Sequence, residues 1–456
     1  MSTISGLSIQ GAVVTPSSTD YEGAIARLSA TSVLPAAFVT YPATPADISN
    51  ILQFARSQNP PLQIAVKGGG CHSSTASSSD GGIVIDLSRL NYVKVAADKQ
   101  SVKIGGGALW GDVYSELEKH DLVVAGGNVW NVGVGGFVLG GGYSNLSGFY
   151  GLGVDNLIEA TVVLASGDVV ICNKDNEPDL FWAIRGAGNQ FGAVTELILK
   201  AYPAHGPATV GALAYPGTQL SEVLAVVQNF LSTQKPGHRL ILTFSRAPPD
   251  YYPSILILPY IEGTEEETKF ALAPFTETIK PVFQQIVSVP TFNAVSHSAD
   301  AFLAHVPPRA ALGGALFSNL WEDTITKVFL DWMAFTENED SRQSVVMWEL
   351  FARDKIAEVR EEDTAYPARK PHYYAIVDGR HTSPNDDGPT CEWVSRIMSI
   401  INQANLEKEG FQFPTPANFG LGTEKSEDVY GINLPRLREL KAKYDPKAVF
   451  GKFWTL

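Results

Sequence analysis

Two glycine-rich segments hold the residue types best suited to binding a phosphorylated ligand. The first is KGGGCHS, residues 67–73, and the second lies in residues 126–153, which contain eleven glycines. Ordering a glycine costs more backbone entropy than ordering any other residue, so this density indicates that something approaches the backbone closely. Successive N–H groups with no side chain in front of them suit a pyrophosphate. One such segment alone would indicate only a tight turn, but two predict a bound dinucleotide.

Neither segment matches the common nucleotide-binding motifs. No GKS or GKT follows either of them, which excludes a P-loop. Neither is the glycine triplet that opens a helix inside a strand-helix-strand unit, as in the Rossmann fingerprint. A different dinucleotide-binding fold is therefore expected.

Short strands and helices are predicted around both segments. A helix over Asp47–Gln58 and a strand over Ile83–Leu87 flank the first segment. A helix with apolar residues on one face, from Trp110 to Leu117, precedes the second segment. A hairpin that turns at Ser166 and Gly167 follows it. These elements form a first domain that ends near residue 203.

A second domain is predicted where the glycine density falls, after about residue 205. The pattern there favours a helix over Ser221–Leu231 and strands over residues 255–261, Val345–Phe351 and His372–Val377. An amphipathic helix near the C-terminus is stopped by the pair Asp445-Pro446.

Composition excludes several classes of partner. The 456 residues are enough for two or three domains. The net charge of -14 opposes attraction to nucleic acid or to an anionic membrane surface. The cysteines Cys71, Cys172 and Cys391 show neither a disulfide framework nor the spacing of a metal site. With no signal peptide or long apolar run visible in the sequence, a cytoplasmic protein is expected, without a membrane partner and without a bound metal.

Six stretches, taken in order, resemble the berberine bridge enzyme-like flavin oxidases of the vanillyl-alcohol oxidase superfamily. They are PAAFVTYPATPADI, VKGGG, GGIVIDLSRL, VGVGGFVLGGGYSNLSGFYGLGVDN, DLFWAIRGAGNQFGAVTE and YDPKAVF. The resemblance implies an α+β fold, with a two-part PCMH-type FAD-binding domain and an α/β substrate domain whose antiparallel sheet is covered by helices. The implied boundaries are 1–34 for a segment that packs on the FAD domain, 35–203 for the FAD domain, 204–420 for the substrate domain and 421–456 for a segment that returns to the FAD domain.

The same resemblance implies which residues bind FAD, with the isoalloxazine at the domain junction. They are Lys67, Gly68, Gly69, Gly70, Cys71, His72 and Ser73 in the first segment, Val129, Val132, Gly133, Gly135, Gly136, Gly140, Gly141 and Gly142 in the second, and Asn433 near the C-terminus.

The sequence departs from the family where FAD is attached covalently. Members often use a histidine directly after the three glycines and a cysteine three residues before the valine of VGVGG. These positions hold Cys71 and Val129 here. FAD is therefore expected to be bound noncovalently, and a single link through His72 is the alternative. Val132 stands where the family places a small residue that lets O₂ reach the flavin, which favours an oxidase.

The catalytic residues are less clearly indicated. The family's usual acid or amide position falls near Ile376, which cannot accept a proton. The remaining candidates are Tyr374, Asp378 and Tyr430 for catalysis, with Tyr373, His381 and Glu349 as further pocket residues. For Tyr373, Tyr374, Asp378, His381 and Glu349 a structural role is favoured over a catalytic one, whereas Tyr430 and Asn433 align with flavin-facing positions of the family and are the stronger candidates.

Three functions follow from these observations. The first is an FAD-dependent oxidase that acts on a small, largely apolar natural product, transfers hydride to the flavin and uses O₂ as the second substrate, in secondary-metabolite biosynthesis. The second is a cyclase or pericyclase on the same fold, without net redox chemistry. The third is a ligand carrier without catalysis.

Overall fold

The computed structural model describes residues 6–456, and the N-terminal part of the chain forms a four-stranded sheet. Its strands are β1 (Ala12–Val14), β2 (Phe38–Tyr41), β3 (Ile64–Lys67) and β4 (Ile83–Asp86). Their order is β1-β2-β4-β3, with only β1 antiparallel. Helices α1 (Tyr21–Ile25) and α2 (Pro45–Ser57) accompany this sheet. The predicted N-terminal segment thus contributes a strand to it, and its residues 1–5 lie outside the described range.

A five-stranded antiparallel sheet completes the first half of the chain. Its strands are β5 (Val93–Val95), β6 (Ser101–Gly105), β8 (Leu157–Val163), β9 (Val169–Asn173) and β10 (Ala193–Lys200), while β7 (Leu122–Val123) and β11 (Tyr202–Pro203) form a separate pair. The helices are α3 (Trp110–Glu118), α4 (Val134–Leu139), α5 (Ser147–Tyr150) and α6 (Pro178–Ala187). The predicted hairpin is confirmed, since β8 and β9 pair across a turn in which Gly167 has a φ of +95°.

The second half is built on a seven-stranded antiparallel sheet. Its strands are β12 (Ala208–Pro216), β13 (His238–Arg246), β14 (Pro253–Glu262), β15 (Phe283–Val289), β16 (Arg309–Phe317), β17 (Val345–Phe351) and β18 (Tyr373–His381), in the order β15-β12-β14-β13-β17-β18-β16. The helices are α7 (Leu220–Ser232), α8 (Glu265–Ala273), α9 (Phe292–Ser296), α10 (Asp300–Leu303), α11 (Glu322–Phe335), α12 (Asp354–Ala357) and α13 (Asp387–Glu409). The predicted strand over Val345–Phe351 is confirmed at both ends.

Helices cover one face of this large sheet. Strand side chains alternate between faces, and on one face Trp348 and Val377 join the core that α7, α11 and α13 complete. Helix α13 lies directly on the strand backbones, because a Cβ at Gly313 would come within 2.5 Å of Val394. The opposite face turns toward the glycine-rich segments and forms the candidate site.

The C-terminal segment returns to the first half of the chain. Helices α14 (Ser426–Tyr430) and α15 (Leu434–Tyr444) place Leu437 in the same core as Trp182. Lys441 extends this contact, since its Nζ lies 2.7 Å from Asp445 and donates to the carbonyl of Gln190 at 2.6 Å. The α+β architecture that the resemblance implies is therefore confirmed.

Among residues 6–456, no helix combines the length and the apolar character that a bilayer-spanning helix requires.

Candidate active site

The two glycine-rich segments are in direct backbone contact. A Cβ at Gly69 would lie 2.5 Å from the backbone nitrogen of Gly133, and a Cβ at Gly133 would lie 2.3 Å from that of Gly69. Real side chains do not approach so closely, so both positions must be glycine for the two segments to meet. The turns also use left-handed backbone, with φ of +68° at Gly70 and +123° at Gly141.

The first segment presents a row of backbone donors. Within the described residues, no N–H from Gly69 through Ser73 donates to a protein acceptor, whereas the N–H of Ser74 does. Lys67, at the start of the row, forms an ion pair with the buried Asp86 at 2.8 Å. Successive free N–H groups of this kind fit the pyrophosphate of FAD.

Burial and hydrogen bonds limit the reactivity of the Cys71 and His72 side chains in this segment. The Cys71 thiol donates to the carbonyl of Asn131 at 3.3 Å, and burial raises the pKa of the thiol above its ordinary value. Burial lowers the pKa of the His72 imidazole, which is therefore neutral at pH 7. The N–H of Ser74 donates to Nδ1 of His72 at 3.2 Å, so the proton of the neutral ring sits on Nε2. Nδ1 of His72 is thus engaged.

The second segment surrounds the short helix α4. A Cβ at Gly136 would meet nothing within 4 Å, whereas one at Gly140 would meet Asn418 at 2.6 Å. Asn418 donates from Nδ2 to the carbonyl of Gly136 at 2.9 Å and so ties the C-terminal part of the chain to this segment. The backbone carbonyl of Val132 accepts from Trp110, which holds the turn from Val129 to Val132.

The face of the large sheet that the helices leave open carries a group of half-buried apolar side chains. Adjacent strands place six of them there: Ile241, Leu256, Leu258, Leu312, Met347 and Ile376. Residues of β18 alternate, so Tyr374, Ile376 and Asp378 lie on this face and Tyr373 lies in the helix-covered core. We refer to it as the open sheet face.

Both glycine-rich segments touch this face. Ser73 accepts the backbone N–H of Leu312 at 2.8 Å. On the other side, Tyr143, which directly follows Gly142, stacks on Tyr374 with ring centroids 4.4 Å apart. The open sheet face therefore lies between the second half of the chain and the glycine-rich segments of the first half.

Two buried ion pairs occupy the ends of the open sheet face. Arg239 donates from Nε to Glu349 at 2.7 Å and from Nη1 to Asn145 at 2.8 Å. Burial raises the pKa of Glu349, and the guanidinium of Arg239 opposes that rise. At the other end Asp378 lies 2.7 Å from Nε of Arg380, and burial likewise raises the pKa of Asp378. Each charge is thus neutralised locally.

A cluster of hydrogen bonds holds the hydroxyl of Tyr143 in place. Its hydroxyl lies 2.5 Å from that of Tyr366 and 2.6 Å from Nε2 of His372. Nδ1 of His372 lies 2.6 Å from the carbonyl of Lys370 and must donate to it, so Nε2 accepts from Tyr143 and Tyr143 accepts from Tyr366. Burial lowers the pKa of His372 to about 4 and raises that of Tyr366 to about 12, which keeps the cluster neutral.

The remaining predicted residues lie away from the open sheet face. Tyr430 is fully buried in the core of the first half, where its hydroxyl accepts from Gln190 at 3.3 Å. Asn433 donates to the carbonyls of Glu361 and Thr364. His381 is buried at the end of β18 and lies 2.7 Å from Asp387. The structure gives these three side chains supporting contacts within the protein.

Sequence reasoning missed Tyr143, Tyr366, His372 and Asn418. Each of these residue types is common in cores and loops, so the only available signal was the position of Tyr143 directly after three glycines. Their partners lie hundreds of residues away in the chain, as in the contact between Asn418 and Gly136.

Comparisons with known proteins agree with this arrangement. Residues 35–173 match the FAD binding domain family, and residues 417–452 match the family described as berberine and berberine like. The FAD-linked oxidoreductase pgmH of Aspergillus terreus is 31% identical over 474 residues, which cover 98% of this chain and 94% of pgmH. The FAD-linked oxidoreductase srdI of Neurospora crassa is 28% identical and covers 90% of this chain and 82% of srdI.

Solved structures show the same fold. 6-Hydroxy-D-nicotine oxidase from Arthrobacter nicotinovorans superimposes with a TM-score of 0.84 at 23% identity, over 99% of both chains. The BBE-like 1 protein of Physcomitrella patens gives a TM-score of 0.85 at 18% identity, over 98% of this chain and 97% of that one.

Proposed function

This chain belongs to the berberine bridge enzyme-like FAD-linked oxidoreductases. From that premise we propose that it oxidises a small, largely apolar molecule bound on the open sheet face. The observation that supports this substrate class is the composition of that face. Six of its half-buried side chains are aliphatic or thioether groups, and the charges at its ends are already paired. A sugar hydroxyl placed against these six side chains would lack a partner, at a cost of roughly 1–3 kcal/mol for each unsatisfied group.

FAD would be held by the row of N–H groups from Gly69 to Ser73 and by the second segment around Gly133 and Gly136. FAD, when bound, supplies a hydride acceptor. The protein contributes close backbone donors, an apolar surface that excludes water and a fixed position for the substrate. The contacts from Ser73 to Leu312 and from Tyr143 to Tyr374 fix the distance between cofactor loops and substrate face.

Tyr374 and Glu349 are the proposed acceptors for the substrate proton. They are paired across β17 and β18, and Arg239 bonds only to Oε2 of Glu349, which leaves Oε1 free to face Tyr374. A proton that leaves the substrate would pass to the Tyr374 hydroxyl as its own proton moves to the carboxylate. Asp378, on the same face, is the second candidate acceptor.

The contacts of the first segment support noncovalent FAD. The Cys71 thiol is held protonated by burial, Val129 has no nucleophile, and Nδ1 of His72 accepts from the N–H of Ser74. Acid precipitation tests this directly. Yellow colour that moves to the supernatant supports noncovalent binding, whereas colour that stays in the pellet would identify a covalent link and point to His72.

The redox function itself is tested with the purified holoprotein under anaerobic conditions. An oxidase bleaches its flavin when substrate is added and produces hydrogen peroxide when air is admitted. A cyclase would instead return an isomer of unchanged mass with the flavin still oxidised, and a carrier would return its ligand. The named relatives are oxidoreductases and do not favour these two alternatives. Use of O₂, a role in secondary-metabolite biosynthesis and a cytoplasmic location complete the proposal.

A further inference from the structure

A second cleft, of about 190 Å³, lies at the end of the same sheet, where Tyr260 and Glu262 continue the row of β14 side chains that includes Leu256 and Leu258. It is bounded by α3 in the first domain and by β12, β14 and α9 in the second. We propose that this cleft binds a small organic ammonium ion that carries an aromatic or aliphatic body. The proposal concerns a site separate from flavin chemistry and stands or falls without it.

The polar wall of the cleft offers acceptors for such an ion. Three carboxylates, Glu118, Asp121 and Glu262, line it, and no lysine or arginine is among the lining residues. Asn293 donates from Nδ2 to Glu118 at 2.9 Å, while its Oδ1 is a buried acceptor without a partner in the described part of the chain. An ammonium group has three donors and no acceptor, so it complements this wall.

The one histidine in the cleft does not cancel this preference. Nδ1 of His205 lies 2.7 Å from Glu262, and its Nε2 lies 2.6 Å from the hydroxyl of Tyr150. The Tyr150 hydroxyl donates to Nε2 when Nδ1–H donates to Glu262, so both ring nitrogens are paired within the protein. No ring nitrogen of His205 is left to donate to a ligand in the cleft.

Aromatic side chains also line the cleft. Phe292 packs edge to face against Tyr114 at 4.9 Å between centroids, and lies 6.2 Å from Tyr260. The hydroxyl of Tyr114 donates to the carbonyl of Gly127 at 2.6 Å, and that of Tyr260 donates to Glu262, so these rings present apolar surface to the cleft. Aromatic rings beside a carboxylate stabilise a cation and also bury the body that carries it.

The cleft and the proposed substrate position use different side chains. Tyr114, which lines the cleft, donates its hydroxyl to the carbonyl of Gly127 in the second glycine-rich segment. Arg239 pairs with Tyr260 across β13 and β14 and is held by Glu349 and Asn145. None of the described residues that line the cleft is among the six apolar side chains named on the open sheet face, so a ligand in the cleft occupies a different position from the proposed substrate.

The test uses calorimetric titration of the full-length holoprotein with phenethylammonium, 2-phenylethanol and phenylacetate, which share one body and differ in charge. We expect the ammonium alone to bind. Glu262→Gln should weaken its binding about tenfold, the effect of losing ~1.4 kcal/mol, and Glu118→Gln about twofold to fivefold, because Glu118 is exposed. Glu116→Gln is the matched control, because Glu116 lies on the same helix α3 with an exposed ion pair to Lys119 and does not line the cleft.

Asp121→Asn adds a variant that is expected to fold normally. Asp121 is exposed and has a φ of +56°, a conformation that asparagine also adopts. We expect it to weaken ammonium binding about twofold to fivefold, as for a partly solvated charge. Binding of the alcohol as tight as that of the ammonium, or wild-type affinity in all three carboxylate variants, would overturn the proposal. Loss of binding in Ile376→Trp would overturn it as well, since that change fills only the open sheet face.

Discussion

Tyr143 and Tyr374 stack with ring centroids 4.4 Å apart and an interplanar angle of 27°, across the junction of the two domains. Tyr143 continues from the second glycine-rich segment, and Tyr374 belongs to the open sheet face. The stack therefore fixes the loops that would hold FAD relative to the surface that would hold the substrate. A hydride can be transferred only over a short distance, so this geometry is a precondition of the proposed reaction.

The hydroxyl of Tyr374 can be removed without removing the ring that stacks on Tyr143. Tyr374→Phe keeps the ring and its stacking but removes the group proposed to receive the substrate proton. Flavin reduction in anaerobic stopped flow should slow by about 10²-fold, a typical value for loss of general acid-base assistance. Tyr373→Phe is the control, because Tyr373 lies in the helix-covered core. Equal rates in wild type and Tyr374→Phe would remove Tyr374 from the mechanism.

The contact between Gly69 and Gly133 makes a prediction about cofactor retention. Gly69→Val places a branched side chain where even a Cβ lies 2.5 Å from the Gly133 nitrogen, so the segments must separate. Flavin content, read as the absorbance ratio at visible and ultraviolet wavelengths, should fall to about a tenth of wild type or less, since ~1.4 kcal/mol of lost affinity is tenfold. Gly23→Ala should keep its flavin, because its Cβ meets nothing within 4 Å. A fully yellow Gly69→Val protein would contradict the proposed site.

Val132 provides a separate test of oxygen access. It is half-buried within the second glycine-rich segment, and Val132→Leu adds one methylene group at that position. If O₂ passes this residue, reoxidation of the reduced flavin should slow while its reduction by substrate stays unchanged. The two half-reactions are measured separately in stopped flow. Slowing of both by the same factor would indicate a general packing defect instead.

Parts of this site could be read from the sequence because they depend on local patterns. Glycine density located both segments, and the strand over Val345–Phe351 was predicted correctly from its apolar run. Alternation within β18 could also have separated Tyr373 from Tyr374, since neighbouring residues of a strand face opposite ways. Both were named as pocket candidates, and only Tyr374 lies on the open sheet face.

The rest depends on contacts between distant parts of the chain. Tyr143 meets His372 and Tyr366, and Asn418 meets Gly136, only after three sheets have assembled. Glu349 looks like an ordinary strand residue until Arg239 from β13 is placed beside it. These contacts are set by the pairing register of strands that are far apart in sequence. No local propensity encodes that register.

His372 makes stability depend on pH in a defined direction. Burial lowers its pKa from 6.5 to about 4 in the folded protein, so between these values the unfolded chain binds a proton that the folded one does not. The contribution of His372 to the free energy of unfolding is fully present above pH 6.5 and is lost as the pH falls toward 4, by up to about 3 kcal/mol.

His372→Gln should lower the free energy of unfolding at pH 7, because the bond from Tyr143 is altered. It should also flatten the decline of that free energy between pH 6.5 and 4. Chemical denaturation across that range measures both effects. His297→Gln, at an exposed histidine, should keep the wild-type slope. An unchanged slope in His372→Gln would show that His372 is not the group that resists protonation.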